Sequence, residues 1–312
     1  MNLEKAENSE YIGRVKMNYS LYPGEDLYSD GQVEDELLDI VKNNAPEDFP
    51  EIIKEKASWA ILYHLSEYRE NIFSVIPFDK NDEVLEIGAG CGAVTGYLCR
   101  KAGNVTAVEL SKKRSLINAY RHRDEGNLEI LVANFENACG NLEKKYDYVT
   151  LIGVLEYAKL YIDSEHPFED LLIRAKSLLK PRGKLIIAIE NRFGLKYFAG
   201  CREDHLGTVF SGINGYSNGT DQVRTFTKKE LEGLIEKSGF SEYTFYYPYP
   251  DYKFATDIYS DAYLPKKGDL CNNGRNYDNA RLELFNEEEV FDGLIDNGVF
   301  PCFSNSFLVV VS

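Results

Sequence analysis

The feature that most constrains this chain is the stretch from residue 82 to 190, where short apolar runs alternate with longer mixed segments. Glu83–Ile87, Val105–Leu110, Leu128–Val132, Tyr146–Ile152 and Lys184–Glu190 read as strands. The segments between them are long enough for crossover helices. Glu169–Leu179 shows the helical period best, with Leu171, Leu172, Ala175, Leu178 and Leu179 on one face and Pro181 beyond the end. Strands alternating with helices give a parallel sheet covered on both faces. The run Leu185–Ile189 has the unbroken apolar character of a strand buried on both sides. The predicted fold class is therefore α/β and Rossmann-like.

The flanks are less regular. From Pro46 to about Tyr68 the spacing is helical, with Ile53, Ala57, Ala60, Ile61, His64 and Leu65 on one stripe. Residues 1–75 are read as an N-terminal helical cap or lid, and 76–312 as the main domain. After Glu190 the pattern breaks, and residues 191–224 and 251–300 are read as insertions on the side of a second substrate. Thr227 and Glu230 form a capping-box pattern for a helix that Gly239 ends. Tyr243–Tyr249 and Ser306–Val311 are the best strand runs left.

Composition narrows the function. The formal charge of −16 repels phosphate backbones, so no nucleic-acid partner is expected. The six cysteines fall in no CxxC or CxxH pattern, which argues against a zinc ribbon or a disulfide framework and fits a reducing, cytoplasmic setting. The first residues, MNLEKAENSE, lack the pattern of a signal peptide. Apolar runs are too short to span a bilayer, so no membrane partner is expected. The oligomeric state is not legible.

Chemistry concentrates where the first strand meets glycines at 88, 90 and 92. Glycines permit a sharp strand-to-helix turn and let a ligand approach the backbone. The following helix start offers free N–H groups to an anionic group. Gly88-x-Gly90-x-x-Ala93 also satisfies the dinucleotide fingerprint, so an NAD-dependent oxidoreductase is a rival. Glu86 stands two residues before the first glycine, where an acid can face a cationic ligand group. Glu109 ends the second strand at the position of a ribose-hydroxyl partner. Asn134 and Phe135 close the third strand and suit an adenine ring, one by hydrogen bonding and the other by stacking.

These motifs resemble the class I S-adenosylmethionine-dependent methyltransferases, and the resemblance covers about residues 80–250. It implies a seven-stranded, mostly parallel sheet whose last strand is antiparallel. It implies S-adenosyl-L-methionine as cofactor, held by Glu86, Gly88, Ala89, Gly90, Gly92, Glu109, Leu110, Asn134, Phe135 and Gly153. The adenine site of the family commonly carries Asp where this chain has Asn134. The segments ENRFGLKYFAGCREDH and YYPYPDYK resemble a bacterial subgroup associated with surface-glycan assembly, so the acceptor is expected to be a small molecule or a glycan. A third possibility is a non-catalytic module that keeps the fold, although Glu86, the glycines and Glu109 are all present.

Methyl transfer from a sulfonium is an in-line displacement in which positioning carries much of the catalysis. A hydroxyl acceptor also benefits from a general base. His205, oriented by Asp204 or a nearby carboxylate, is the first candidate, with Glu190 and Glu156 behind it. His122, in the charged run RHRDE, is expected on a solvated face. No HExxH motif or paired-Asp cluster calls for a metal.

Overall fold

The computed structural model describes residues 9–26, 28, 29, 31–217, 222–273 and 281–312. The chain divides into two compact units. One comprises residues up to Glu70, Ile76–Leu151 and Ser177–Lys184; the other comprises Asn71–Val75, Ile152–Lys176 and Leu185–Ser312.

The first unit opens with a hairpin, β1 (Ser9–Ile12) and β2 (Val15–Asn18), followed by three helices, α1 (Val33–Asn43), α2 (Phe49–Lys56) and α3 (Trp59–Leu65). The alternating part follows as β3 (Glu83–Ile87), α4 (Thr95–Lys101), β4 (Asn104–Glu109), α5 (Lys112–Arg121), β5 (Leu128–Val132), α6 (Phe135–Cys139) and β6 (Tyr146–Ile152). The strand order is β1-β2-β5-β4-β3-β6, parallel from β2 onward. The apolar stripes of α1 to α3 (Leu37, Ile40, Val41, Phe49, Ile61, Leu65) bury themselves with Ile117 of α5 and with Cys91 in the glycine turn. That burial anchors the N-terminal helices beside the turn.

In the second unit, α7 (Ala158–Tyr161) and α8 (Pro167–Ser177) precede β7 (Leu179–Glu190), whose first residues belong to the other unit. Then come α9 (Leu195–Phe198), α10 (Lys228–Lys237), β8 (Tyr243–Tyr249), β9 (Asp257–Ser260), α11 (Glu287–Asp296), α12 (Phe300–Phe303) and β10 (Ser306–Val311). The order is β7-β10-β8-β9, antiparallel throughout. Its core is aromatic: Phe245 meets Phe307 edge-on at 5.3 Å, and Tyr247 meets Phe300 at 5.6 Å. The tyrosines of β8 at 247 and 249 are buried packing groups.

The Rossmann-like alternation and a mixed sheet are as expected, but the described residues form ten strands rather than seven. The additions are the hairpin, which adds β2 parallel to β5, and β9, which pairs with β8. Residues 1–75 therefore contribute strands as well as helices. The long helix expected from Pro46 is broken at Ala57, which takes a left-handed φ of 45°. β7 starts at Leu179, earlier than expected, and the helix before it stops at Ser177.

Candidate functional site

β3 runs directly into the glycine turn. The amides of Gly88 and Ala89 donate to the Val108 carbonyl at 2.8 and 3.2 Å, which ties the turn to β4. Gly90 and Gly92 both have positive φ, +55° and +78°, yet they serve different ends. A Cβ on Gly92 would lie 2.3 Å from Asn118 Oδ1 and 2.9 Å from His122 Cε1, so Gly92 is where α5 closes against the turn. A Cβ on Gly90 would come only to 3.4 Å from the Arg114 guanidinium. The Gly90 amide instead serves Glu109.

Glu109 is buried, and each of its oxygens is fixed by a backbone amide. Oε2 accepts from Gly90 N and Oε1 from Ser111 N, both at 2.9 Å. Each oxygen retains a lone pair for a hydroxyl. Glu86 lies near the end of β3. Its carboxyl is 2% exposed, and Thr95 Oγ1 donates to it at 2.6 Å. Asn118 Nδ2 in turn donates to Thr95 Oγ1 at 3.1 Å, and Asn118 Oδ1 holds His122 Nδ1 at 2.8 Å. Burial, with the nearby Glu109 charge adding to it against the Thr95 hydrogen bond, pushes Glu86 up to about 8. Glu86 ties β3 to α4 and, through Thr95 and Asn118, to α5. His122 belongs to the same buried chain, and the expectation of a solvated face is corrected. Asn134 Oδ1 accepts from Glu136 N at 3.2 Å and so caps α6. Phe135 is buried beside it, and Leu110 is half-buried.

The segment before α1 is fastened to the same place. Asp26 accepts from Lys112 N at 2.6 Å and from Lys113 N and Ser111 Oγ at 3.1 Å, capping α5 directly after Glu109. The Arg114 guanidinium lies 4.9 Å from the Tyr28 ring centre and 3.7 Å from the buried Glu34 carboxylate.

The second unit holds a buried polar centre. Glu156 follows β6 after Gly153, Glu190 ends β7, and His205 lies in the loop after α9. One donor atom from each of the three lies within 4.8 Å of the others. His205 Nε2 is 3.5 Å from Glu190 Oε2, and its Nδ1 is hydrogen-bonded to the Tyr157 hydroxyl at 3.0 Å. Of the expected alternatives, Asp204 or a nearby carboxylate, it is the carboxylate of Glu190 that lies beside His205. Asp204 pairs instead with Lys196, Lys253 and the Tyr197 hydroxyl. The loop is held by Glu203 Oε2, which accepts from His205 N and Leu206 N. A Cβ on Gly153 would come within 2.8 Å of the Tyr252 hydroxyl and 3.5 Å of Glu156 Oε1, which places this glycine against the polar centre.

The charges of the centre interlock. Burial opposes ionisation of Glu190, but Lys253 and then His205 hold it well below the usual carboxylate range. Burial also opposes charge on His205, yet the adjacent Glu190 carboxylate pushes it up to about 9. Burial and the Glu190 charge push Glu156 up to about 8.

Residues 85–185 match the family described as methyltransferase domain. This matched segment is a class I S-adenosylmethionine-dependent methyltransferase domain, and S-adenosylmethionine is its cofactor. The nicotinamide rival is thereby set aside. The methyltransferase is 26% identical over 201 residues to ribosomal RNA small subunit methyltransferase A of Mycoplasma mycoides, covering 64% of this chain and 67% of that one. It is 26% identical over 171 residues to the ubiquinone biosynthesis O-methyltransferase of Rickettsia bellii, covering 51% of this chain and 66% of that one. The chain thus matches about two thirds of the length of each of these relatives. Similar solved structures include a methyltransferase from Archaeoglobus fulgidus, at 16% identity over 81% of this chain and 99% of that one, with a TM-score of 0.49. A possible histamine N-methyltransferase from Thermotoga maritima is 17% identical over 85% and 98% of the two chains, with a TM-score of 0.46. These names divide between RNA and small-molecule acceptors, so they lend no support to the expected exclusion of nucleic acid. Among the described residues of the methyltransferase, no helix is long and apolar enough to cross a membrane.

Sequence reasoning missed Asp26, Lys196 and Lys253. Asp26 sits in a turn-rich run where acidic residues are common. The signal for the lysines was present as two isolated cations in otherwise aromatic segments, GLKYF and PDYKF.

Proposed function

We propose that the methyltransferase moves the S-adenosylmethionine methyl group to a hydroxyl oxygen of a small polar molecule or glycan, with Glu156 accepting the hydroxyl proton. The observation that carries this reading is Glu156 Oε2, which is buried and has no hydrogen-bond partner. A buried carboxylate oxygen without a donor is costly to leave unmet, and an acceptor hydroxyl would meet it. In the reaction the hydroxyl O–H bond breaks toward Glu156 while the oxygen attacks the methyl carbon. Bound S-adenosylmethionine would supply the activated methyl group, its carbon–sulfur bond breaking as the carbon–oxygen bond forms. A carboxyl raised to about 8 gains its proton-accepting form as the pH rises through that value. His205, pushed up to about 9, already carries its proton at neutral pH and serves better to hold Glu190. The charge of −16 favours a non-nucleic acceptor, and the O-methyltransferase relative favours oxygen. Supplying isotope-labelled donor to neutral polyols and glycans, with amines and polynucleotides alongside, tests the acceptor class. Label appearing only on amine or polynucleotide would overturn it.

On the donor side we assign the ribose hydroxyls to Glu109, the adenine to Leu110, Asn134 and Phe135, and the remainder of the donor to Gly88, Ala89, Gly90 and Gly92. Glu86 and Gly153 act by shaping their surroundings. Glu109→Ala is expected to weaken S-adenosylhomocysteine binding by about 1–3 kcal/mol in calorimetry. Unchanged affinity would remove Glu109 from the site.

Residues 1–75 are proposed to act as a lid, latched by Asp26 beside Glu109. Burial opposes its charge, but the amides of Lys112 and Lys113 hold its carboxyl below the usual range. Removing a helix cap costs about 1 kcal/mol. Asp26→Ala should therefore release S-adenosylhomocysteine about fivefold faster in stopped-flow fluorescence. An unchanged release rate would count against a latch there.

A further inference from the structure

We propose that Lys253 is the positioning residue that assembles the acid–base centre, a role that rests on the reading of Glu156, Glu190 and His205 given above. Its ammonium bridges two carboxylates from separate segments, Glu190 at the end of β7 and Asp204 in the loop that carries His205. Tying these together sets the imidazole against Glu190 Oε2.

Lys253 itself is rigidly delivered. Its amide donates to Asp251 Oδ1 at 2.8 Å, and the Tyr252 amide donates to Ser306 Oγ on β10 at 2.8 Å. Asn305 Nδ2 donates to the Pro250 carbonyl at 3.0 Å. The turn after β8 is thus pinned to the start of β10, and Lys253 projects from a fixed frame. Lys196 completes the set by pairing with Asp204 at 3.1 Å and with Asp251 at 3.4 Å. Glu190, Asp204 and Asp251 are then balanced by Lys196, Lys253 and protonated His205. Glu156, Glu203, Tyr157, Tyr197 and Tyr252 are the other titratable groups facing the centre. The ammonium occupies Glu190 Oε1 and supplies the positive charge that a divalent ion would otherwise bring to the three donor atoms.

Two roles for Lys253 make opposite predictions. If it acted only through its charge, removing it would raise the proton affinity of His205. If it positions, removing it lets the loop and Glu190 separate, and His205 loses the partner that keeps it protonated. The experiment is a titration of the His205 imidazole by nitrogen-15 NMR in the full chain, which needs no acceptor. In K253M the midpoint should fall from about 9 toward the ordinary histidine value of about 6.5, while in K253R it should stay near 9. Should K253M fail to fold, D204N/K253M removes one anion with the cation and should show the same fall. S-adenosylhomocysteine affinity should be unchanged in each. A midpoint that stays near 9 or rises, in K253M or in the double variant, overturns the positioning role. Failure of the parent reading would appear elsewhere, as full turnover in a Glu156 variant, and would leave this titration intact.

Discussion

Glu156→Gln is expected to bind S-adenosylhomocysteine as the unmodified chain does and to lose roughly 10²–10⁴-fold in turnover, the usual cost of removing a general base. The amide keeps the shape of the side chain but cannot take a proton. The sign of the pH dependence follows from the same group. Glu156 must be ionised to act, and its carboxyl lies at about 8, so turnover should rise as pH increases through about 8. Above about 9 His205 loses its proton and Glu190 loses that ion-pair partner, so turnover should decline. Turnover followed from pH 6 to 10 checks both limbs, and the lower limb should be missing from the glutamine variant. A variant that retains full turnover would dismiss Glu156 as the base. Dialysis against a chelator should leave turnover unchanged, because Lys253 and His205 already supply the cationic charge at the centre. A loss restored by manganese would instead give Glu156, Glu190 and His205 to a metal ion.

Gly92→Ala should act on the fold rather than on the ligand. The added methyl would lie 2.3 Å from Asn118 Oδ1, a contact no real Cβ makes, at a φ that disfavours side chains. Overpacking and left-handed strain together cost about 3 kcal/mol. Relieving the clash also means moving Asn118, which holds Thr95 and His122 and, through Thr95, the buried Glu86. Denaturant unfolding should show the midpoint of the variant well below that of the parent. Gly90→Ala, whose methyl meets nothing closer than 3.4 Å, should pay only the backbone strain, about 1–2 kcal/mol. Equal losses in the two variants would mean that α5 does not close on Gly92 as described.

The contrast between these glycines marks what could be read from the chain. The alternation of apolar runs located β3 to β6, and β8 and β10 fell at their expected bounds, because strands buried in a sheet interior carry unbroken apolar or aromatic sequence. Strands at sheet edges leave a weaker trace. β1, with Ser9, Glu10 and Tyr11 exposed, and β9, with Asp257 exposed, have no run to recognise. Glycine spacing marked the turn but could not say which glycine serves a helix contact and which a carboxylate. The motif position of Glu86 says nothing of Thr95, nine residues on, which donates to it. Glu190 and Glu156 were picked from positions at or just after strand ends, and His205 from the polar loop segment that follows. Their pairing was hidden, since it involves Lys253 and Asp204, whose partners are distant in the chain.

The placing of β10 between β7 and β8 has a consequence for biogenesis. A nascent chain synthesised as far as Tyr249 holds both β7 and β8, but neither has the neighbour that separates them in the finished sheet. Until β10 threads in, two aromatic and aliphatic edges stand bare, one of them the Leu185–Ile189 run, and bare edges are templates for pairing with other chains. The interval between Tyr249 and Ser306 is thus a window in which ribosome-associated chaperones would have the most to protect. Lys253 is made inside that window, and the turn that carries it gains its anchor on Ser306 only when β10 arrives.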